Sequence, residues 1–101
     1  MQATLVKEGS KAVIKLMGRF DFNAHREFRS AYDSLVADVS ISSVVVDFTG
    51  VDYLDSSALG MLLMLRDKMG GGNKEVSLSG VKGNVKQVLD IANFGKLFKI
   101  C

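Results

Sequence analysis

Two adjacent serines, Ser56 and Ser57, follow Asp55 and open the stretch Ala58–Met69. One hydroxyl at such a place caps a helix; the second is then free to be presented to a partner, and a phosphate on it would meet the N–H groups and dipole of the helix N-terminus. Four aspartates, Asp21, Asp47, Asp52 and Asp55, fall at or just beyond expected strand ends. There an acidic cluster can hold Mg²⁺, or each Asp simply caps a helix or shapes a turn. With one histidine, His25, and one cysteine, Cys101, the chain lacks the side chains for a cysteine-histidine or multi-histidine metal site. His25 in the first turn of a helix reads as a surface residue, and Cys101 as a terminal thiol with no intrachain disulfide partner. No GxxxxGK[ST] loop is present, and Gly70-Gly71-Gly72 follows a helix instead of preceding one. Gly80-Val81-Lys82-Gly83 is a weak anion-nest pattern that reads more simply as a strand-to-helix turn. The expectation is a binding protein without catalytic residues, metal or cofactor.

Composition narrows the class further. The 101 residues carry a net charge of +2, are 48% hydrophobic and include no proline, which predicts one globular domain over residues 1–101 with no proline-rich linker. So small a charge does not predict nucleic-acid binding. The longest apolar run, Ala58–Leu65, falls short of the ~20 residues of a membrane helix, and no signal pattern opens the chain, so the expectation is a cytoplasmic protein. Charge is unevenly spread: Asp47, Asp52 and Asp55 share one short stretch without a base, whereas Lys82, Lys86, Lys96 and Lys99 face only Asp90 near the end.

The elements that must position these residues follow from periodicity. Ala3–Glu8 and Lys11–Met17 read as strands joined by a hairpin at Gly9-Ser10, and Gly18 ends the pair. Ala24, Phe28, Ala31, Leu35 and Val39 form a helical stripe with Asp21 or Asn23 placed to cap it. The run Val44-Val45-Val46 predicts a central strand over Ser43–Phe48, covered on both faces. A helix over Ala58–Met69, a strand over Glu75–Ser79, a helix over Asn84–Ala92 and a short edge strand over Leu97–Ile100 complete an α/β pattern: a mixed, mostly parallel sheet with an N-terminal hairpin and helices packed on it. Acidic strand ends would also suit a response-regulator receiver, but the chain lacks paired acids after its first strand and is short for that fold.

The stretch Val44–Gly60, VVVDFTGVDYLDSSALG, resembles the signature of the STAS domain, the fold of anti-sigma factor antagonists, in which a buried strand leads through Asp-Ser-Ser-Gly-Leu-Gly into a helix. Asp55, Ser56, Ser57, Leu59 and Gly60 match, and Ala58 stands where glycine is usual. The segments Leu16–Asp21, Val88-Leu89 and Phe94–Phe98 are similar to other parts of the same family. The resemblance implies that Ser56 is phosphorylated by a partner serine kinase acting as anti-sigma factor, and that a metal-dependent serine phosphatase resets it.

Asp21, Asp55, Ser57 and Gly60 then belong to the partner-binding surface. At 100° per residue the core-facing arc of the second helix centres on Ala58, Leu62, Leu65 and Met69, with Leu59 and Leu63 on one flank and Met61 on the other. Met64 falls opposite, so Met61 and Met64 join that surface as adaptable contacts. Two other readings stay open: a STAS adaptor that is never phosphorylated, and a small-molecule or nucleotide sensor near the acidic strand ends.

Overall fold

A computed structural model describes residues 1–100; Cys101, and with it the expectation of a terminal thiol, lies outside the described residues. Strands β1 (Gln2–Glu8) and β2 (Lys11–Phe20) pair antiparallel around Gly9-Ser10, with Glu8 opposite Lys11. Gly9 holds φ +61°, the conformation that a two-residue hairpin turn requires of its first central residue. A 3₁₀ turn (Phe22–Ala24) leads into α1 (His25–Val36), followed by β3 (Ser43–Leu54), α2 (Ser56–Gly70), β4 (Glu75–Ser79), α3 (Gly83–Ile91), a second 3₁₀ turn (Phe94–Lys96) and β5 (Lys99–Ile100).

The five strands lie in chain order, and every pair after the first is parallel. A receiver has the order 2-1-3-4-5 instead. Right-handed crossovers between successive neighbours place all three helices on one face. Burial agrees: Ala12, Ile14, Leu16, Val44, Val46, Phe48, Val76 and Leu78 are buried, while Val13, Val45 and Ser77, one residue out of phase, are only half-buried. The valine run of β3 is therefore covered on one face and not on both. Phe20 lies at the centre of the covered side, with ring centroids 4.9 Å from Phe28 and 6.1 Å from Phe48.

The first helix is shorter than its stripe suggests. It ends at Val36, Tyr32 joins Phe28 and Leu35 in the core, and Val39 is 98% exposed. The cause is Asp38, whose carboxylate accepts from the backbone N–H of Ser40 at 3.0 Å and from its hydroxyl at 2.5 Å, a local turn that competes with helix. Lys7 donates to the same carboxylate at 3.1 Å. The buried Lys74 fastens the loop from beneath, donating to the carbonyls of Asp38 at 2.7 Å and Ile41 at 2.9 Å.

The Ser40 hydroxyl, then Lys7 and the Ser40 N–H, hold the Asp38 carboxyl down at about 2 against an ordinary 3.8. A carboxyl depressed by folding stabilises the native state above its unfolded value and loses that contribution as pH falls through its folded value. Asp38→Asn is therefore expected to melt below the wild-type chain at neutral pH, with the gap closing between about pH 4 and pH 2. Thermal melts across that range check it, and a gap independent of pH would show that the charge is irrelevant.

Candidate functional site

The site forms where β3 outruns its neighbour. Pairing with β4 stops at Asp47–Ser79, but β3 continues beside β2 through two register shifts to Phe20–Leu54. Periodicity alone ends this strand at Phe48, with Asp47 and Asp52 at or beyond its end; both lie within it. Gly50 makes the continuation possible, because a Cβ there would stand 2.9 Å from the Leu16 carbonyl oxygen and 3.0 Å from Met17 Cγ. The extension ends on a backbone hydrogen bond, Asp55 N–H donating to the Phe20 carbonyl at 3.3 Å, and α2 begins at the next residue.

The cap of α2 is Asp55, whose carboxylate accepts from the Ala58 N–H at 3.0 Å. This corrects the expectation that one of the serines caps the helix. Ser56 is the first residue of α2 and exposed, and Ser57 beside it is half-buried. Both hydroxyls are thus relieved of capping, and Ser56 faces solvent where the N–H groups and dipole of the helix favour an added negative charge.

The outer face of α2 continues from Ser56. Gly60, Leu63, Met64 and Asp67 lie on it, with Leu63 40% and Met64 43% exposed. A Cβ added to Gly60 would meet nothing within 4 Å, so folding does not require glycine there, although glycine costs a helix about 1 kcal/mol relative to alanine. Met61 is only 6% exposed and packs in the core, which removes it from the contact surface and leaves it a support beneath. Leu63 belongs to the outer face and not to a flank of the core arc: at 100° per residue it falls about 130° from the centre of that arc, as far as Met64, and it is exposed accordingly. Arg66 donates to the Leu97 carbonyl at 2.9 Å and ties α2 to the end of the second 3₁₀ turn.

Asp21 lies close to this surface but is occupied in shaping the chain. It caps the first 3₁₀ turn rather than α1, accepting from the Asn23 N–H at 3.0 Å, and its carboxylate is 3.5 Å from Arg19 Nε. The Arg19 guanidinium lies 4.0 Å over the Tyr53 ring. Asp47 is likewise engaged, accepting from the N–H and hydroxyl of Thr49 at 2.9 and 2.6 Å. Among the described residues no three His, Cys, Asp or Glu side chains converge on a point that would hold a metal ion. His25 is exposed at the start of α1. No described helix is long and apolar enough to cross a membrane.

A family model described as "Mlab, STAS domain" matches residues 3–99. A STAS-domain containing protein of Pseudomonas aeruginosa is 47% identical over 93 residues, 92% of this chain and 90% of that protein. Among solved structures, an anti-sigma factor antagonist from Mycobacterium paratuberculosis superposes with a TM-score of 0.85 at 18% identity, over 98% of this chain and 83% of that one. The Bacillus cell fate determinant SpoIIAA in its phosphorylated form gives a TM-score of 0.74 at 17% identity, over 98% of this chain and 90% of that one.

Proposed function

The chain belongs to the STAS domain family, and from that premise we propose that it is an anti-sigma factor antagonist working as a phosphorylation-controlled binding switch. The observation that carries the reading is the exposed Ser56 at the start of a helix already capped by Asp55, on one face with open Gly60 and exposed Met64. Unphosphorylated, the chain binds a serine-kinase anti-sigma factor through this face, with Asp55, Ser57 and the Asp21 turn at its edge, and frees whatever that factor holds. The kinase then transfers the γ-phosphoryl group of ATP: the Ser56 oxygen bonds to phosphorus, the bond to the β-phosphate oxygen breaks, ADP leaves, and the hydroxyl proton passes to a base of the kinase. A metal-dependent serine phosphatase hydrolyses the ester and resets the switch.

The backbone around Ser56 suits this cycle. An exposed first-turn residue accepts a charge of about −1.5 to −2 without repacking the core, so the modification alters docking and not folding. The net charge falls from +2 to about zero, with the whole change set beside Asp55.

Incubation with such a kinase and ATP is expected to add one phosphate, located on Ser56 by fragmentation mass spectrometry, and Ser56→Ala is expected to bind the kinase yet accept none. Phosphate on another residue, or equal labelling of the alanine variant, would overturn the assignment.

A further inference from the structure

Phe20 and Phe22 stand two residues apart and meet opposite fates. Phe20 is fully buried against Phe28 and Phe48, whereas Phe22 is 72% exposed. Extended backbone alone would leave these two side chains on one side. The cause of their divergence is the turn that begins at Phe22, in which the Asp21 carboxylate accepts from the Asn23 N–H at 3.0 Å and the Ala24 N–H donates to the Asp21 carbonyl at 2.9 Å. Ala24 is buried beneath the turn, so Phe22 is held outward on a fixed backbone.

This turn adjoins the phosphoacceptor. The Phe20 carbonyl accepts from the Asp55 N–H, so Phe22 and Ser56 leave the same backbone joint, and the 3₁₀ turn packs against α2. Around Phe22 a shallow recess is lined by Asn23, His25, Arg26 and Glu27. Arg26 forms no ion pair among the described residues, whereas Arg19 and Arg29 are paired with Asp21 and Asp33.

We infer that Phe22 is the aromatic anchor by which the serine kinase grips this chain, seated in an apolar recess of the kinase, with Arg26 beside it facing the negative charge of the ATP-loaded enzyme. The inference rests on the reading of Ser56 as phosphoacceptor. Its physical basis is that a rigid aromatic side chain loses little conformational entropy on binding and removes a large apolar area from water, which is why interface energy concentrates on such residues. Isolated exposed apolar side chains are common; Phe22 differs in being fixed by a capped turn that packs against the helix opened by Ser56. Its role is positioning: it raises the occupancy of the complex and leaves the chemical step to the kinase.

The test titrates the whole chain, wild type or variant, into a purified ATP-dependent serine-kinase anti-sigma factor and measures Ser56 phosphorylation rates. Phe22→Ala is expected to raise KM about thirtyfold with kcat unchanged. Phe22→Tyr should restore wild-type KM, and both variants should melt within about 2 °C of wild type, as surface changes do. Wild-type KM in the alanine variant would overturn the anchor and leave the Ser56 reading standing. Absence of phosphate on wild-type Ser56 would overturn both. A melting temperature lowered by 10 °C or more would show that Phe22 serves the fold, which also overturns the inference.

Discussion

Gly80→Ala is expected to destabilise the fold by about 2–5 kcal/mol, the sum of a left-handed backbone forced on a residue with a Cβ and of steric overlap in a packed site. Gly80 follows β4 with φ +68°, and a Cβ there would overlap the Thr49 hydroxyl and lie 2.7 Å from the Thr49 nitrogen and 2.9 Å from an Asp47 carboxylate oxygen. None of these atoms can give way cheaply. Thr49 is held to Asp47 by two hydrogen bonds at the point where β3 leaves β4, so relief requires breaking that turn or shifting the strand that carries Ser56. For a domain of this size the loss corresponds to a fall in melting temperature of roughly 10–30 °C. Circular-dichroism melts of the two proteins decide it, and a fall below 5 °C would mean that the turn after β4 is far more compliant than its packing implies.

The consequence reaches the site. Beyond Asp47, β3 has only β2 beside it, through two register shifts, and Gly50 admits the close approach of that strand. Gly80 closes the opposite side of the same joint. The position of Ser56 is thus fixed by two glycines with no chemistry of their own, one inside β3 and one just after β4, where close contact excludes a Cβ.

Much of this was legible because local chemistry and tertiary context agreed. The Gly9-Ser10 hairpin, the helix after Ser57 and the strand at Glu75–Ser79 each carry their own turn or periodicity signals, and the stretch from Val44 to Gly60 identifies the family. The misreadings arose where geometry depends on distant partners. A run of three valines describes a buried strand equally well with one face covered or two; only the order of the five strands decides. The length of β3 depends on β2 accommodating two irregularities, which no residue of β3 announces. Asp55 and the two serines all cap helices well, and the choice among them follows from where the Phe20 carbonyl fixes the chain. On α2, by contrast, an ideal 100° wheel sets Met61 about 70° and Leu63 about 130° from the centre of the core-facing arc. The burial of the first and the exposure of the second were both legible, and treating the two as equivalent flanks is what misplaced them.

Ser56→Asp is expected to weaken binding to the kinase anti-sigma factor by about a hundredfold while moving the melting temperature by no more than about 2 °C. The two halves of this expectation come from the same position. In the free chain the new carboxylate is solvated at the first turn of α2, where the helix dipole contributes about 0.3–1 kcal/mol in its favour and the neighbouring Asp55 offsets part of that. In the complex the carboxylate is taken out of water against a partner that evolved no cation for the unmodified hydroxyl, and leaving a buried charge unpaired costs about 3–5 kcal/mol. Aspartate carries about half the charge of phosphoserine, so its effect should fall toward the lower end of that range. Ser56→Asn separates charge from size, since the amide has nearly the volume of the carboxylate and no charge. Calorimetric titration of the three proteins should place asparagine near wild type and aspartate far below it. Equal weakening by both would mean that the hydroxyl occupies a tight pocket and that ejection works by steric exclusion; unchanged affinity in both would remove Ser56 from the interface altogether.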